Sequence, residues 1–296
     1  MSDIEVSPRN PAGLAAVTTA VTLMGMGSVV AKAAEIEGPV LAFHRAWATA
    51  AIYTLVLLAT RARITRAKLR AVAPGGLWFG IQLAFFFSAI QHTTVANATM
   101  ILAMQPVLVM VFFSRRFGET VGRTEWILSS VAIVGVALVV FGSSASPTWS
   151  PLGDFLACGA LISWTMYFVN SKKARNTVSA LEYQALSLWP SALIVLPIAL
   201  AFSGTVDAGA GKWWWVPAMV AIPGSGHVFI NWAHPRVPLG LISQMTLLSP
   251  VVAIALAAVL LTGESVNAAQ ITGMLIVLGA LALLVRPSPT STPAAD

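Results

Sequence analysis

Apolar residues gather into long runs in this chain, and the polar stretches between them are short. Ten runs stand out, near 11–31, 38–60, 72–91, 95–114, 124–143, 152–171, 180–203, 213–233, 238–261 and 266–285. Each has roughly the 20 residues that a helix needs to cross a bilayer. Polar and apolar positions do not alternate within a run, so helices are predicted and barrel strands are not. The expected fold class is all-α integral membrane, with ten transmembrane helices.

The runs are duplicated. Pro106–Val107–Leu108–Val109–Met110 leads through apolar residues to Gly118–Glu119, and Pro250–Val251–Val252–Ala253–Ile254 leads to Gly263–Glu264. The next run carries Val134–Gly135–Val136–Ala137–Leu138 in one half and Leu278–Gly279–Ala280–Leu281 in the other. The prolines lie 144 apart (250 − 106), Gly135 and Gly279 also 144, and the glutamates 145 (264 − 119). A fixed offset over a segment pair indicates duplication. The domains expected are a tail at 1–10, five-helix repeats at 11–143 and 152–286, and a disordered tail at 287–296, rich in Pro, Ser, Thr and Ala. Five is odd, so the second copy enters the membrane from the opposite side. Such inverted repeats are the usual plan of alternating-access carriers, with the substrate site at the midplane between the halves.

Composition supports a lipid solvent. The chain is 57% hydrophobic and 9% charged, with mean hydropathy +0.81, whereas soluble domains carry about a quarter charged residues. The net charge of +6 would suit nucleic acid in a soluble protein; here its placement matters more, and no nucleic-acid partner is expected. With the N-terminus inside, the inner segments hold Arg9; Arg61, Arg63, Arg66, Lys68 and Arg70; Arg115, Arg116 and Arg123; Lys172, Lys173 and Arg175; Arg236; and Arg286. The outer segments hold only Lys32 and Lys212, and Arg45 lies inside the second run. Basic residues favour the cytoplasmic side, so both termini are expected there, in a cell (inner) membrane. Trp213–Trp214–Trp215 falls at an outer edge, where indoles favour the interface. Asp3, Glu5 and Arg9 precede a first run long enough to span, a pattern unlike a cleavable signal. The single cysteine, Cys158, excludes an internal disulfide and reads as a small packing residue. Gly76 and Gly80 have the spacing that lets helices approach closely.

The repeated proline, Gly-Glu and later glycine resemble the drug/metabolite transporter superfamily, specifically its EamA-like ten-helix exporters, over about residues 11 to 286. Ala42–Phe43–His44–Arg45 is similar to that family's arginine-containing segment. Many members have a tryptophan in the first span, where this chain has Leu23–Met24–Gly25–Met26–Gly27; its repeat mate has one, in Ser163–Trp164–Thr165–Met166–Tyr167. Within the family the chain looks most like the YddG-type aromatic amino acid exporters. The resemblance implies a secondary transporter exporting amino acids, aromatic and other apolar ones such as methionine or threonine, without a cofactor or metal. A monomer is favoured, and the oligomeric state stays open.

Candidate substrate-binding residues are those that put polarity or aromatic rings at mid-depth: Met24, Phe79, Gln82, Phe86, Trp164, Tyr167, His227, Asn231 and Gln244, with Asn97 and Gln105 as further polar positions. Apolar pockets with a few placed polar groups are what small ligands occupy. Trp164 should lie across a central space from the third span, with Met24 as its repeat mate. His227 and Asn231 share a face at a spacing of four. Arg45 sits about six residues deep, where a charge needs a partner or a water-filled cavity. The pattern favours a structural arginine, paired with helix-end carbonyls or with Glu35 or Glu37, over a carboxylate contact or a gate. His44 should point away from it. Pro106, Pro223 and Pro250 are candidate gating or hinge positions. Glu119 and Glu264 read as helix-end residues.

The sequence lacks metal-ligand spacing and a phosphate-binding loop, and no run carries a mid-depth carboxylate. A carrier driven by an intramembrane Asp or Glu is therefore disfavoured. The remaining alternatives are a multidrug or other metabolite efflux carrier, a channel-like facilitator, and a membrane enzyme. For the last, His227 lacks the partner carboxylate that acid–base chemistry needs.

Overall fold

The computed structural model describes residues 10–142, 150–260 and 266–286. Gly263–Glu264 and the tail residues 1–9 and 287–296 lie outside them. Among the described residues every regular element is helical. In α1 (Pro11–Ala34) the Asn10 side-chain oxygen accepts from the Gly13 N–H at 2.9 Å, and Pro11 suits the first turn. α2 (Gly38–Ala59) and α3 (Arg66–His92) follow. The fourth run divides into α4 (Val95–Leu102), α5 (Gln105–Leu108), a π-helical turn Val109–Phe113 and a 3-10 turn Arg115–Phe117. α6 (Arg123–Phe141) closes the first half.

The second half opens with α7 (Pro151–Ala174) and α8 (Ala180–Ser203), the latter started by a reciprocal Ser179–Glu182 capping box. The eighth run divides into α9 (Trp215–Met219), a π turn Val220–Gly224 and α10 (Ser225–Ala233). The ninth divides into α11 (Leu239–Met245) and α12 (Leu248–Leu260), and α13 (Ala268–Val285) ends the described chain. Among the described residues eight helices are, by length and composition, long and apolar enough to cross a bilayer, with Asn97–Phe113 as a shorter apolar stretch.

The breaks have local causes. Pro106 stands in the first turn of α5 and Pro250 in the first turn of α12, each directly after an interruption. A proline gives no N–H to the turn before it, and its ring crowds the carbonyl four residues back. At Pro223 the same defect is taken up by the wider π turn.

α3 packs on α7 and α8, α2 on α8, α6 on α13, and α1 on α10 and α12. Two of these contacts need glycine. A Cβ on Gly76 would stand 2.0 Å from the Ser187 carbonyl oxygen of α8, and one on Gly273 would stand 2.6 Å from the Gly135 carbonyl oxygen. Backbones this close gain dispersion contacts that lipid cannot supply. The outer surface is apolar: Phe155 is 71% exposed, Leu193 72% and Val259 80%, which suits hydrocarbon and not water. Cys158 is exposed on this surface of α7, and the expectation of a packing residue is corrected. Its side of the helix carries Phe155 and Ile162 outward.

Candidate functional site

Five segments bring side chains together at the α9–α10 break. α2 supplies Arg45, α3 Phe79, α7 Trp164 and Tyr167, α8 Gln184, and α10 His227 and Asn231. Arg45 Nη2 donates to His227 Nε2 at 2.7 Å, and the guanidinium carbon lies 5.9 Å from the Phe79 ring centre. A guanidinium only donates, so Nε2 accepts. The neutral ring then carries its proton on Nδ1, which faces the Tyr167 oxygen at 3.2 Å. This corrects the pairing expected for Arg45. Its position on α2 turns it toward α10 and the interior, so it meets His227 and Phe79 and not Glu35 or Glu37.

The rings form one cluster. The centre of Phe79 lies 5.0 Å from Tyr167, 5.4 Å from His227 and 6.1 Å from Trp164, while Trp164 stacks on Tyr167 at 5.3 Å and 19°. Trp164 therefore touches the third span directly, with no space between them. A small cavity opens on Arg45, bounded by Ala42, Ala46, Phe79, Leu83, Gln184, Leu188 and His227.

One turn further along α10, Asn231 accepts from Ser171 Oγ at 2.5 Å and donates to Gln184 Oε1 at 3.2 Å. The Gln184 amide in turn reaches the Gly224 carbonyl at 3.4 Å, and Tyr53 pairs with Ser225 at 3.1 Å. Met24 packs by α10, its Cγ 3.2 Å from where a Cβ on Gly226 would be. Gln82 is buried on α3, and Pro223 is buried against Gly27.

The other candidates lie apart. Phe86 packs on a separate cluster of Ala89, Ala98 and Ala157. Gln244 donates to Ser129 Oγ at 2.7 Å, tying α11 to α6. Asn97 donates to Asp154 at 2.7 Å, and Gln105 accepts from Thr246 at 3.4 Å. His44 is buried away from Arg45, taking the Trp47 indole N–H on Nδ1 at 2.8 Å and meeting the Val206 carbonyl at 2.5 Å.

A second assembly lies at the basic end of the bundle. The Glu119 carboxylate accepts from Lys172 Nζ at 2.5 Å and from the Leu239 and Gly240 N–H groups at 2.6 and 3.0 Å. It ties the end of the fourth run to the end of α7 and caps the start of α11. Each side chain of the ion pair is 8% exposed. Beside it, Arg175 donates to the Asn231 and Val178 carbonyls. Burial first, then the neighbouring Arg236, pulls Arg175 down to about 10. Arg236 stacks 3.5 Å over the Trp232 ring.

Sequence reading missed Gln184, Ser171, Tyr53 and Ser225, and gave Lys172 no partner. Two signals were available. Gln184 is an amide within an apolar run, and Lys172 matches Lys32 at an offset of 140 (172 − 32).

One family model covers most of the chain. The sequence profile of the EamA-like transporter family matches residues 11–141 and again 151–286. The chain is 26% identical over 196 residues to the uncharacterized transporter YdeK of Bacillus subtilis, covering 62% of this chain and 65% of that one. It is 24% identical over 225 residues to the pseudopaline exporter CntI of Pseudomonas aeruginosa, covering 74% and 76%. A third relative, the uncharacterized transporter sll1164 of Synechocystis, is 23% identical over 296 residues, covering 94% and 77%. A solved crystal structure shares the fold, with a TM-score of 0.79 at 20% identity over 93% of this chain and 98% of that one.

Proposed function

The chain belongs to the EamA-like transporter family, and on that premise we propose that it exports small metabolites bearing a carboxylate and an aromatic or apolar body. Amino acids of that kind, including the aromatic ones, methionine and threonine, are the first substrates to test. The family and the relatives are transporters, not enzymes, and one relative exports a metabolite. The observation that carries the reading is Arg45. It is a cation at the wall of a cavity that Phe79 and His227 also line, with Trp164 and Tyr167 packed against those two rings and no described carboxylate paired to it. A charge at such depth is conserved energetically only by a partner, and a substrate carboxylate provides one in the fork geometry that guanidinium favours. The apolar body would then lie against the rings.

We further propose ten crossings as two inverted repeats, working by alternating access. Three observations support this. The family profile matches twice. Helix breaks precede Pro106 and Pro250, which stand 144 apart (250 − 106). The packing is also closed under exchange of halves. α3 on α7 corresponds to α10 on α1, α4 on α7 to α11 on α1, and α5 on α7 to α12 on α1. With the basic end inward, both termini are cytoplasmic. In a Cys158→Ser background, a cysteine at Ala145 should react with a maleimide from outside, and one at Ala67 only after permeabilisation. The reverse pattern would overturn the orientation.

Transport in proteoliposomes tests the site. Saturable counterflow of an aromatic amino acid marks a carrier, whereas a channel shows neither saturation nor counterflow. Trp164→Ala should weaken apparent binding of tryptophan by roughly 1–3 kcal/mol, the worth of burying one large apolar side chain, with methionine affected less and alanine little. Equal losses for all three, at normal expression, would mean that Trp164 only supports the bundle.

A further inference from the structure

The central cavity is unbalanced in charge. Arg45 is the cation on its wall, and its contacts, His227 and Phe79, are uncharged in the arrangement described. The described carboxylates are elsewhere. Glu119 is held by Lys172 and the start of α11, Glu182 by Lys68, and Asp154 faces Asn97. Glu35 and Glu37 flank the α1–α2 turn, Glu125 lies in the first turn of α6, and Asp207 follows α8. Gln184 Oε1 is taken by Asn231, and the Tyr167 oxygen faces the proton on His227 Nδ1.

A carboxylate on Arg45 makes this cavity neutral. The α-ammonium of an amino acid sits beside its carboxylate, so it would arrive as a second cation near the guanidinium. It would find no described anion there, only neutral oxygens such as Gln184 Oε1, Tyr167 and Thr49. Leaving a charge uncompensated in a low-dielectric interior is costly.

We infer that this site reads the carboxylate and the aromatic or apolar body and needs no ammonium group: beside amino acids it takes small organic monoanions, such as 2-hydroxy and 2-oxo acids, and the export of a monoanion carries one negative charge outward. The inference rests on Arg45 as the carboxylate receiver. It also assigns a driving force. With the cell interior negative, each 100 mV drives a leaving monoanion by a factor of about fifty in concentration ratio. A zwitterion gains nothing from the potential.

Two probes with the same ring decide it: tryptophan, and indole-3-lactate, which has a hydroxyl where tryptophan has the ammonium. The full-length protein is placed in proteoliposomes at equal pH, with a potassium diffusion potential of about 100 mV, and protein-free vesicles give the leak. Indole-3-lactate should compete with tryptophan counterflow at concentrations no higher than tryptophan itself requires. Its steady-state ratio should change about fifty-fold between zero and inside-negative potential, with the tryptophan ratio unmoved. Tryptophan transport without competition or flux of indole-3-lactate would overturn the inference, because the site would then require the ammonium. Indole-3-lactate flux indifferent to potential would overturn the charge movement. If Arg45→Gln, folded and inserted, leaves both fluxes unchanged, the reading of Arg45 itself fails and takes the inference with it.

Discussion

Arg45→Ala is expected to abolish saturable transport while leaving a folded, inserted protein. The side chain lines the cavity and makes one described side-chain hydrogen bond, to His227. Its loss leaves the Nε2 lone pair of a neutral imidazole unmatched, at roughly 1–3 kcal/mol. The effect on a bound carboxylate is larger. Truncating one partner of a buried charge pair costs about 2–5 kcal/mol or more, so apparent affinity should fall by about thirty-fold to several thousand-fold. Arg45→Lys retains the charge and loses the planar fork, and should recover part of the affinity. Tryptophan counterflow and detergent melting temperature, measured on all three proteins, separate the two effects. A purely structural arginine would give melting losses with unchanged half-saturation.

Glu119→Gln is expected to open the basic end of the bundle. One carboxylate there accepts three donors from two elements of the opposite half. The amide keeps the size but offers one acceptor atom and puts N–H groups where donors already stand. Lys172 then remains buried without its counter-ion. Breaking a buried pair from one side costs roughly 3–5 kcal/mol, which moves a closed-to-open equilibrium by about two to three and a half decades. A cysteine at Ser243, a buried position on α11, reports the change in a Cys158→Ser background. It should react slowly with a maleimide applied at the basic end in the parent, and rapidly in Glu119→Gln. Adding Lys172→Met removes the stranded charge and should return the slow rate. If labelling and transport are both unchanged in Glu119→Gln, the ion pair does not hold this end closed.

The apolar runs located the helices because lipid leaves a long apolar stretch few alternatives. What they could not locate was interruption. The fourth and ninth runs are as apolar as the others, and only Pro106 and Pro250 mark where their ladders stop. Where polarity breaks an apolar face, at Trp164, Tyr167, His227 and Asn231, the candidate residues do come together. Phe86 and Gln244 have the same depth and turn to other neighbours. Depth follows from position in a run, whereas direction depends on helix rotation, which packing decides. For Arg45 the sequence offered Glu35 and Glu37 as near partners, and the structure chose a histidine 182 positions away. Glu119 was read as a helix-end residue. It does cap a helix, but that helix is α11, in the other half, a long-range pairing that no local pattern encodes.

The interleaving of the halves has a consequence for biosynthesis. α3 seats its glycine face on α8, and Arg45 of α2 finds its imidazole on α10. Neither partner exists when the first half leaves the ribosome. At roughly 5–20 residues per second of synthesis, the 182 positions between Arg45 and His227 mean a wait on the order of ten to forty seconds. During that interval a charged side chain and a bare glycine groove stand in the membrane with only lipid, water or an insertion factor to cover them. The join between the two halves is therefore not a boundary between folding units: the nascent first half cannot finish its own interior until the second has threaded in beside it.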